Sequence, residues 1–202
     1  MLVVASLLVL AGCGQKGGFS QRAKESKKDV FTYPIVTSPT TLDPHKVEDG
    51  DTIDLLQQVY QCLVAWSEDS KVVPMLATGW KLEDGGRTYV FALKPGVKFH
   101  NGKELTAEDV KWSFERATNP KLASPVAASY LNDIVGVTDK LAGKAESLSG
   151  VQVRDPLTVA ITIDKPRAYF LGKLTYLCGA VMPKDLVPSD QEIKGAEQMV
   201  GT

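Results

Sequence analysis

The sequence predicts a mixed α/β domain, and three patterns carry that expectation. Residues 88–93 (TYVFAL) and 157–163 (LTVAITI) alternate or run apolar in the manner of half-buried strands. Thr106 followed three residues later by Asp109 has the form of a helix capping box, with Asp where Glu is commoner. Residues 52–66 repeat Ile53, Leu56, Val59, Tyr60, Leu63 and Val64 at helical spacing.

The elements follow in order. Residues 2–11 form an apolar run, too short to cross a bilayer and of the length of a signal-peptide core. It ends in Leu10-Ala11-Gly12-Cys13, and no Lys or Arg precedes it. Residues 14–29 are polar and Gly-containing, with Lys16, Arg22, Lys24, Lys27 and Lys28 against Glu25 and Asp29. Such a stretch cannot bury a core and reads as a tether, its basic charge suited to anionic headgroups or simply to water. Residues 31–36 suit an early strand, with Pro34 placing it at an edge or bulge. Residues 37–44 (TSPTTLDP) read as a loop.

Residues 52–66 then read as one helix capped by Asp51. Residues 80–93 read as a hairpin turning at Asp84-Gly85-Gly86, and Pro95-Gly96 and Asn101-Gly102 mark further turns. Phe91, Leu93, Val97 and Phe99 are expected to fill a small β-layer. The helix after Thr106 carries Val110, Trp112, Phe114 and Ala117. Trp112 and Phe114 lie about 200° apart on it, so the two should not pack against one sheet. Residues 127–137 suggest another helix. Residues 151–163 suggest a hairpin about Asp155-Pro156, and Pro166 precedes a helix expected over 168–174.

Composition narrows the function. The chain has 202 residues, 44% hydrophobic and 23% charged, with net charge −1. That balance gives no basic footprint for nucleic acid. Three cysteines exclude a disulfide-dense scaffold. His45 and His100 lie in no metal-spaced cluster, and no nucleophile elbow, phosphate loop or H-E-x-x-H is present. Neither a metal, a cofactor nor a catalytic residue is therefore assigned, and no enzyme activity is expected. Cys62 and Cys178 could pair outside the cytoplasm, although two separately buried thiols are the commoner arrangement.

Several segments carry a resemblance. Pro74-Met-Leu-Ala-Thr-Gly-Trp80, residues 88–93, Gly96-Val-Lys-Phe-His-Asn-Gly102 and Leu105-Thr-Ala-Glu-Asp-Val110 resemble the signature of the family-5 extracellular solute-binding proteins of peptide and nickel ABC importers. Thr41-Leu-Asp-Pro44 and residues 151–159 follow the same pattern in the right order. The tripeptide before Cys13 resembles a bacterial lipobox. The resemblance implies a type II periplasmic-binding-protein architecture, two-lobed in the family, of which this chain is an incomplete first lobe with a small β-rich subdomain.

By the same resemblance, residues 1–12 are a lipoprotein signal peptide, 13–29 the lipidated Cys13 and its tether, and 30–202 a partial N-terminal lobe. The implied function is capture of an oligopeptide or similar small solute and delivery to ABC permease subunits. The chain would act outside the cytoplasm, held to the bacterial cell membrane through Cys13. A truncated, non-functional receptor fragment is the alternative, and an exported enzyme a more distant one. Thr37, Ser38, Pro39 and Thr40 are implied to face the ligand cleft.

Overall fold

The computed structural model describes residues 34–202. The expected signal peptide, Cys13, the tether and the first three residues of the early strand lie outside the described residues.

Eleven helices and strands give the frame: α1 (Gly50–Leu56), β1 (Val64–Trp66), β2 (Val72–Pro74), β3 (Ala77–Glu83), β4 (Thr88–Leu93), α2 (Ala107–Ala117), α3 (Ala127–Leu131), α4 (Val137–Leu141), β5 (Val151–Asp155), β6 (Thr158–Thr162) and α5 (Phe170–Lys173). β3, β4, β6 and β5 form, in that order, a four-stranded antiparallel sheet, while β1 and β2 form a separate ribbon. None of the described helices is long and apolar enough to cross a membrane.

The sheet is assembled from two local hairpins. β3 turns into β4 through Asp84-Gly85-Gly86, and β5 turns into β6 at Asp155-Pro156, as the sequence predicts. Pairing β4 with β6 sets Tyr89 opposite Ile161 and Phe91 opposite Val159. The pleat sends these four side chains to one face, where all are buried. α2 covers that face with Val110, Phe114 and Ala117. Phe99 and Leu93 join the same core, and Val97 packs against it, as expected of the 94–105 scaffold.

The capping box is formed: the Asp109 carboxylate accepts from the Thr106 N–H at 2.9 Å and from its hydroxyl at 2.7 Å. Trp112 and Phe114 separate as the helical geometry requires. Phe114 is in the main core, while half-buried Trp112 packs against a second, smaller cluster around Val47, Leu56, Tyr60 and Leu177.

Four expectations are corrected. Pro34, Ile35 and Val36 are not strand, and Val36 is 91% exposed. Pro34 has no N–H for a ladder, and no described strand pairs with this stretch. The helix expected over 52–66 is only α1. Its cap is Asp49, whose Oδ1 accepts from Thr52 N–H at 2.9 Å, so Asp51 lies inside the first turn. The chain leaves α1 by tight turns, and Val64–Trp66 pairs with β2 because these positions gain a strand partner. Periodicity alone could not separate the apolar run of a helix from that of a short strand.

The helix expected over 127–137 is α3, a turn, then α4. Ile134 bridges Ile163, and Gly136 at φ 89° starts α4 from the left-handed region. A Cβ there would also meet Ser149 Oγ at 2.9 Å. The helix expected from residue 168 begins at Phe170.

Candidate functional site

The loop of Thr37, Ser38, Pro39 and Thr40 is tied to the start of α1. Thr37 donates its hydroxyl to Asp51 Oδ2 at 3.0 Å, and Thr40 donates its own to Asp49. The Thr40 N–H donates to Thr52 Oγ1 at 3.1 Å. Hydrogen bonds from Thr40 and Thr52 hold the Asp49 carboxyl below the usual carboxylate range. Two of the three hydroxyls expected to meet a ligand are thus spent on α1. Ser38 is exposed, and among the described residues no main-chain hydrogen bond to backbone engages Thr37, Ser38 or Pro39.

Beneath the next segment lies a buried polar cluster that the sequence reading did not find. Arg116, wholly buried on α2, donates from Nη1 to Asp43 Oδ1 and His45 Nδ1, each at 2.9 Å. Its Nη2 donates to Asp43 Oδ2 and, at 2.6 Å, to the Gln191 carbonyl. Asp43 also accepts from the backbone N–H groups of His45 and Ile193, each at 3.0 Å.

The opposite ring nitrogen of His45, Nε2, donates to the Ala180 carbonyl at 3.0 Å, which assigns the neutral tautomer with Nδ1 as acceptor. Burial, reinforced by the Arg116 charge, lowers the His45 pKa to about 4. For Asp43, burial works upward, but the Arg116 hydrogen bond and the surrounding positive charge hold the carboxyl below its ordinary value. Tyr60 Oη and Arg116 Nε, both buried, have no partner among the described residues. The cluster clamps residues 43–45, just downstream of the candidate loop, onto α2 and onto the stretches at 180 and 191–193.

A second feature adjoins α1. Tyr130 and Tyr176 stack with ring centroids 3.8 Å apart and planes 10° from parallel. The Tyr176 hydroxyl donates to the Val47 carbonyl at 2.8 Å. Burial first, then Tyr130, Cys178, Glu48 and Asp49, push this phenol up to about 12. A half-buried aromatic pair therefore stands beside the turn that presents exposed Glu48 and the half-buried Asp49. Neither tyrosine carries a local motif: they are 46 positions apart in the chain and meet only through the fold.

The remaining candidates are placed as follows. His100 accepts from the Gly201 N–H at its Nδ1, at 3.3 Å. Among the described residues, no group of three or more His, Cys, Asp or Glu side chains could hold a metal ion. Cys62 and Cys178 are both buried and free. Cys62 packs in the smaller cluster and Cys178 in the main core. Burial pushes both thiols up to about 12, which suits inert packing groups.

The pattern described as "Bacterial extracellular solute-binding proteins, family 5 Middle" matches residues 71–202. The chain is 34% identical over 74% of its length to the Escherichia coli protein named "Probable deoxycholate-binding periplasmic protein YgiS". It is 33% identical over 86% of its length to Heme-binding protein A of Haemophilus influenzae. It covers 28% and 34% of these two proteins respectively, about a third of their length. Among solved structures, the E. coli murein tripeptide binding protein MppA superposes with a TM-score of 0.74 at 30% identity, over 81% of this chain and 32% of that one.

Proposed function

The chain belongs to the family-5 bacterial extracellular solute-binding proteins, and from that premise we propose that it captures a peptide or similar small solute outside the cytoplasmic membrane and delivers it to the permease of an ABC importer. The fold is the mixed α/β fold of the periplasmic binding proteins. The relatives are solute-binding proteins, and this chain is assigned the same binding role without catalysis. Residues 1–12 act as the export signal, Cys13 as the lipid-bearing residue, residues 13–29 as the tether and residues 30–202 as the part of the N-terminal lobe present here.

The observation that carries the reading is the loop of Thr37, Ser38, Pro39 and Thr40. Its main chain forms no backbone hydrogen bond to the described residues, while Asp49 and Asp51 pin its side chains. The Thr37 and Ser38 N–H groups and the loop carbonyls, held in place and unpaired among the described residues, suit strand addition by a peptide main chain, while the Thr40 N–H is already given to Thr52. Glu48, Asp49 and the Tyr130–Tyr176 pair complete that wall with negative charge and aromatic surface. The relatives' names cover a murein tripeptide, deoxycholate and heme, so the loop is what favours a peptide over another small solute.

The test is calorimetry on the complete gene product with a library of short peptides. Saturable binding that weakens at least tenfold when Ser38 is replaced by Pro, which removes one N–H, supports the reading. No binding across the library overturns it. Separately, the anchor is tested by labelled fatty acid and membrane partition: Cys13→Ser should abolish the label and release the protein, and an unchanged variant overturns the anchor.

A further inference from the structure

Residues 41–47 join the candidate loop to the turn before α1, and the fold holds them without regular structure. Their one backbone–backbone hydrogen bond runs from the Lys46 N–H to the Asp43 carbonyl, so among the described residues no ladder ties them to the rest of the chain. Side chains hold them instead. Arg116 takes Asp43 and His45, and the His45 ring reaches the Ala180 carbonyl. Ser124 donates to the His45 carbonyl and Tyr176 to the Val47 carbonyl. Thr41 and Lys46 donate to Glu192.

This arrangement accepts only one protonation state of the His45 ring. Nε2 gives its hydrogen to Ala180, and Nδ1 is an acceptor 2.9 Å from Arg116 Nη1. A proton added at Nδ1 aims a donor at a donor and sets an imidazolium against a guanidinium. The ring is wholly buried, so water does not screen the two cations. Turning the ring over changes nothing, since both nitrogens of an imidazolium donate and Arg116 offers no acceptor. A protonated His45 has to leave its seat.

The other groups around the Asp43–His45 pair are fixed over the same range. Arg116 from α2 and Lys46 from the segment itself supply the positive charge. Burial pushes up the Tyr60 phenol, which follows α1, and the Cys178 thiol from the 177–179 turn. For Asp43 and for Glu192 of the 191–193 stretch burial works upward, but their cationic partners hold both carboxyls below the ordinary range. Between pH 7 and pH 5, His45 is the member of this set that changes charge.

We infer that His45 is a proton-operated latch: protonation at Nδ1 releases residues 41–47 from α2 and the Ala180 stretch while the main core stays folded, and a bound solute holds the segment closed. The second half rests on the solute-capture reading above. Acid and solute then act on one opening in opposite directions. The folded pKa of His45 lies below its unfolded value, so the latch is strongest above pH 6.5 and weakens as pH falls towards 4.

Hydrogen exchange read by mass spectrometry on the complete gene product is the experiment. The N–H groups of His45, Lys46 and Ile193 all donate to Asp43, at 3.0, 3.1 and 3.0 Å, so peptides covering 43–47 and 191–194 report the latch. A peptide covering β4 reports the main core. At pH 7 without solute, the latch peptides should exchange faster than β4 once intrinsic rates are divided out. From pH 7 to pH 5 their opening constant should rise at least tenfold. In His45→Asn, which keeps an acceptor but takes no proton, the rise should fall below twofold, and His45→Gln should behave alike. Trialanine at about ten times its dissociation constant should slow the opening about elevenfold.

A rise below twofold in the parent chain overturns the latch, whichever variant folds. So does exchange of the latch peptides at the β4 rate, because the segment then opens only with the whole. Bound trialanine that leaves the opening unchanged overturns the solute half alone. No binding of trialanine or of any library peptide overturns the peptide reading of the site, while the solute-free exchange still decides the latch.

Discussion

The main core and the smaller cluster are built from different physics. In the main core, two hairpins join edge to edge and α2 lies across them, so the packing is apolar and the central strands β4 and β6 each have a ladder partner on both sides. The smaller cluster has no sheet. Around its apolar residues, segments from 41–47, 180 and 191–193 are held by polar ties: Asp43 to Arg116, His45 to Ala180, and Thr41 and Lys46 to Glu192. Regular structure satisfies its own polar groups, whereas irregular chain needs side chains to do it. The candidate loop and the turn before α1 both sit on the irregular side, where a binding surface can be shaped without breaking a ladder.

The sharpest way to break this contrast is at Arg116. Arg116→Met leaves Asp43 a buried charge without its partner, and unfolding in urea should show a loss of about 3–5 kcal/mol. Adding Asp43→Asn to that variant should return part of the loss. If the double variant is as unstable as the two single losses summed, the pair does not act as a unit.

Ile161→Ala tests the opposite region. Its cost should be about 2–5 kcal/mol from lost burial and the cavity left behind. Unlike the Arg116 loss, it should be the same at pH 5 and pH 8, because its cross-strand neighbour Tyr89, whose phenol burial pushes above its ordinary value, does not change charge in that range.

The pH dependence of the parent chain sharpens the comparison further. The folded pKa of His45 is lowered from 6.5 to about 4. The folded state therefore favours the neutral ring, and the unfolded chain binds the extra proton. This contribution is complete above the unfolded value of 6.5 and is lost as pH falls from 6.5 towards 4. The full span is on the order of 3 kcal/mol. Urea titrations every half pH unit should show that slope, and His45→Asn should flatten it. Asp43 adds its own loss only lower, since its carboxyl protonates below the usual range.

The smallest effect is at the α2 cap. Asp109→Ala removes the acceptor for both Thr106 groups and the acceptor for the Lys184 N–H. It should cost about 0.5–2 kcal/mol by thermal unfolding. A larger loss would mean that the tie to Lys184 matters more than the helix start.

The same division decides what was legible in the sequence. Both hairpins, the turns at Gly96 and Gly102, the Thr106–Asp109 cap and the parting of Trp112 from Phe114 were readable because each depends on neighbours within a few positions. Residues 64–66 were misread as helix because Val64 continues the spacing of Ile53, Leu56 and Tyr60, while the β2 partner that claims it lies farther on. The Arg116 cluster was invisible. An arginine in an otherwise apolar helix face looks solvent-exposed until Asp43, 73 residues earlier, is folded against it. In the candidate site, Thr37 and Thr40 were readable as hydroxyl-bearing loop residues, but their engagement with Asp51 and Asp49 was not. The Tyr130–Tyr176 pair is a product of tertiary packing alone.

The span of the Asp43 ties has a consequence for the order of assembly. Asp43 meets Arg116 across 73 residues and the Ile193 amide across 150, whereas the β3–β4 and β5–β6 turns close within a few. Closing a long loop costs chain entropy before any contact repays it. The sheet and α2 should therefore be in place in the folding transition state, with the 41–47 and 191–193 segments docking afterwards. In stopped-flow measurements, Arg116→Met should leave the refolding rate nearly unchanged and accelerate unfolding, while Ile161→Ala slows refolding. The wall assigned to solute capture would then be the last part of the chain to close and the first to open.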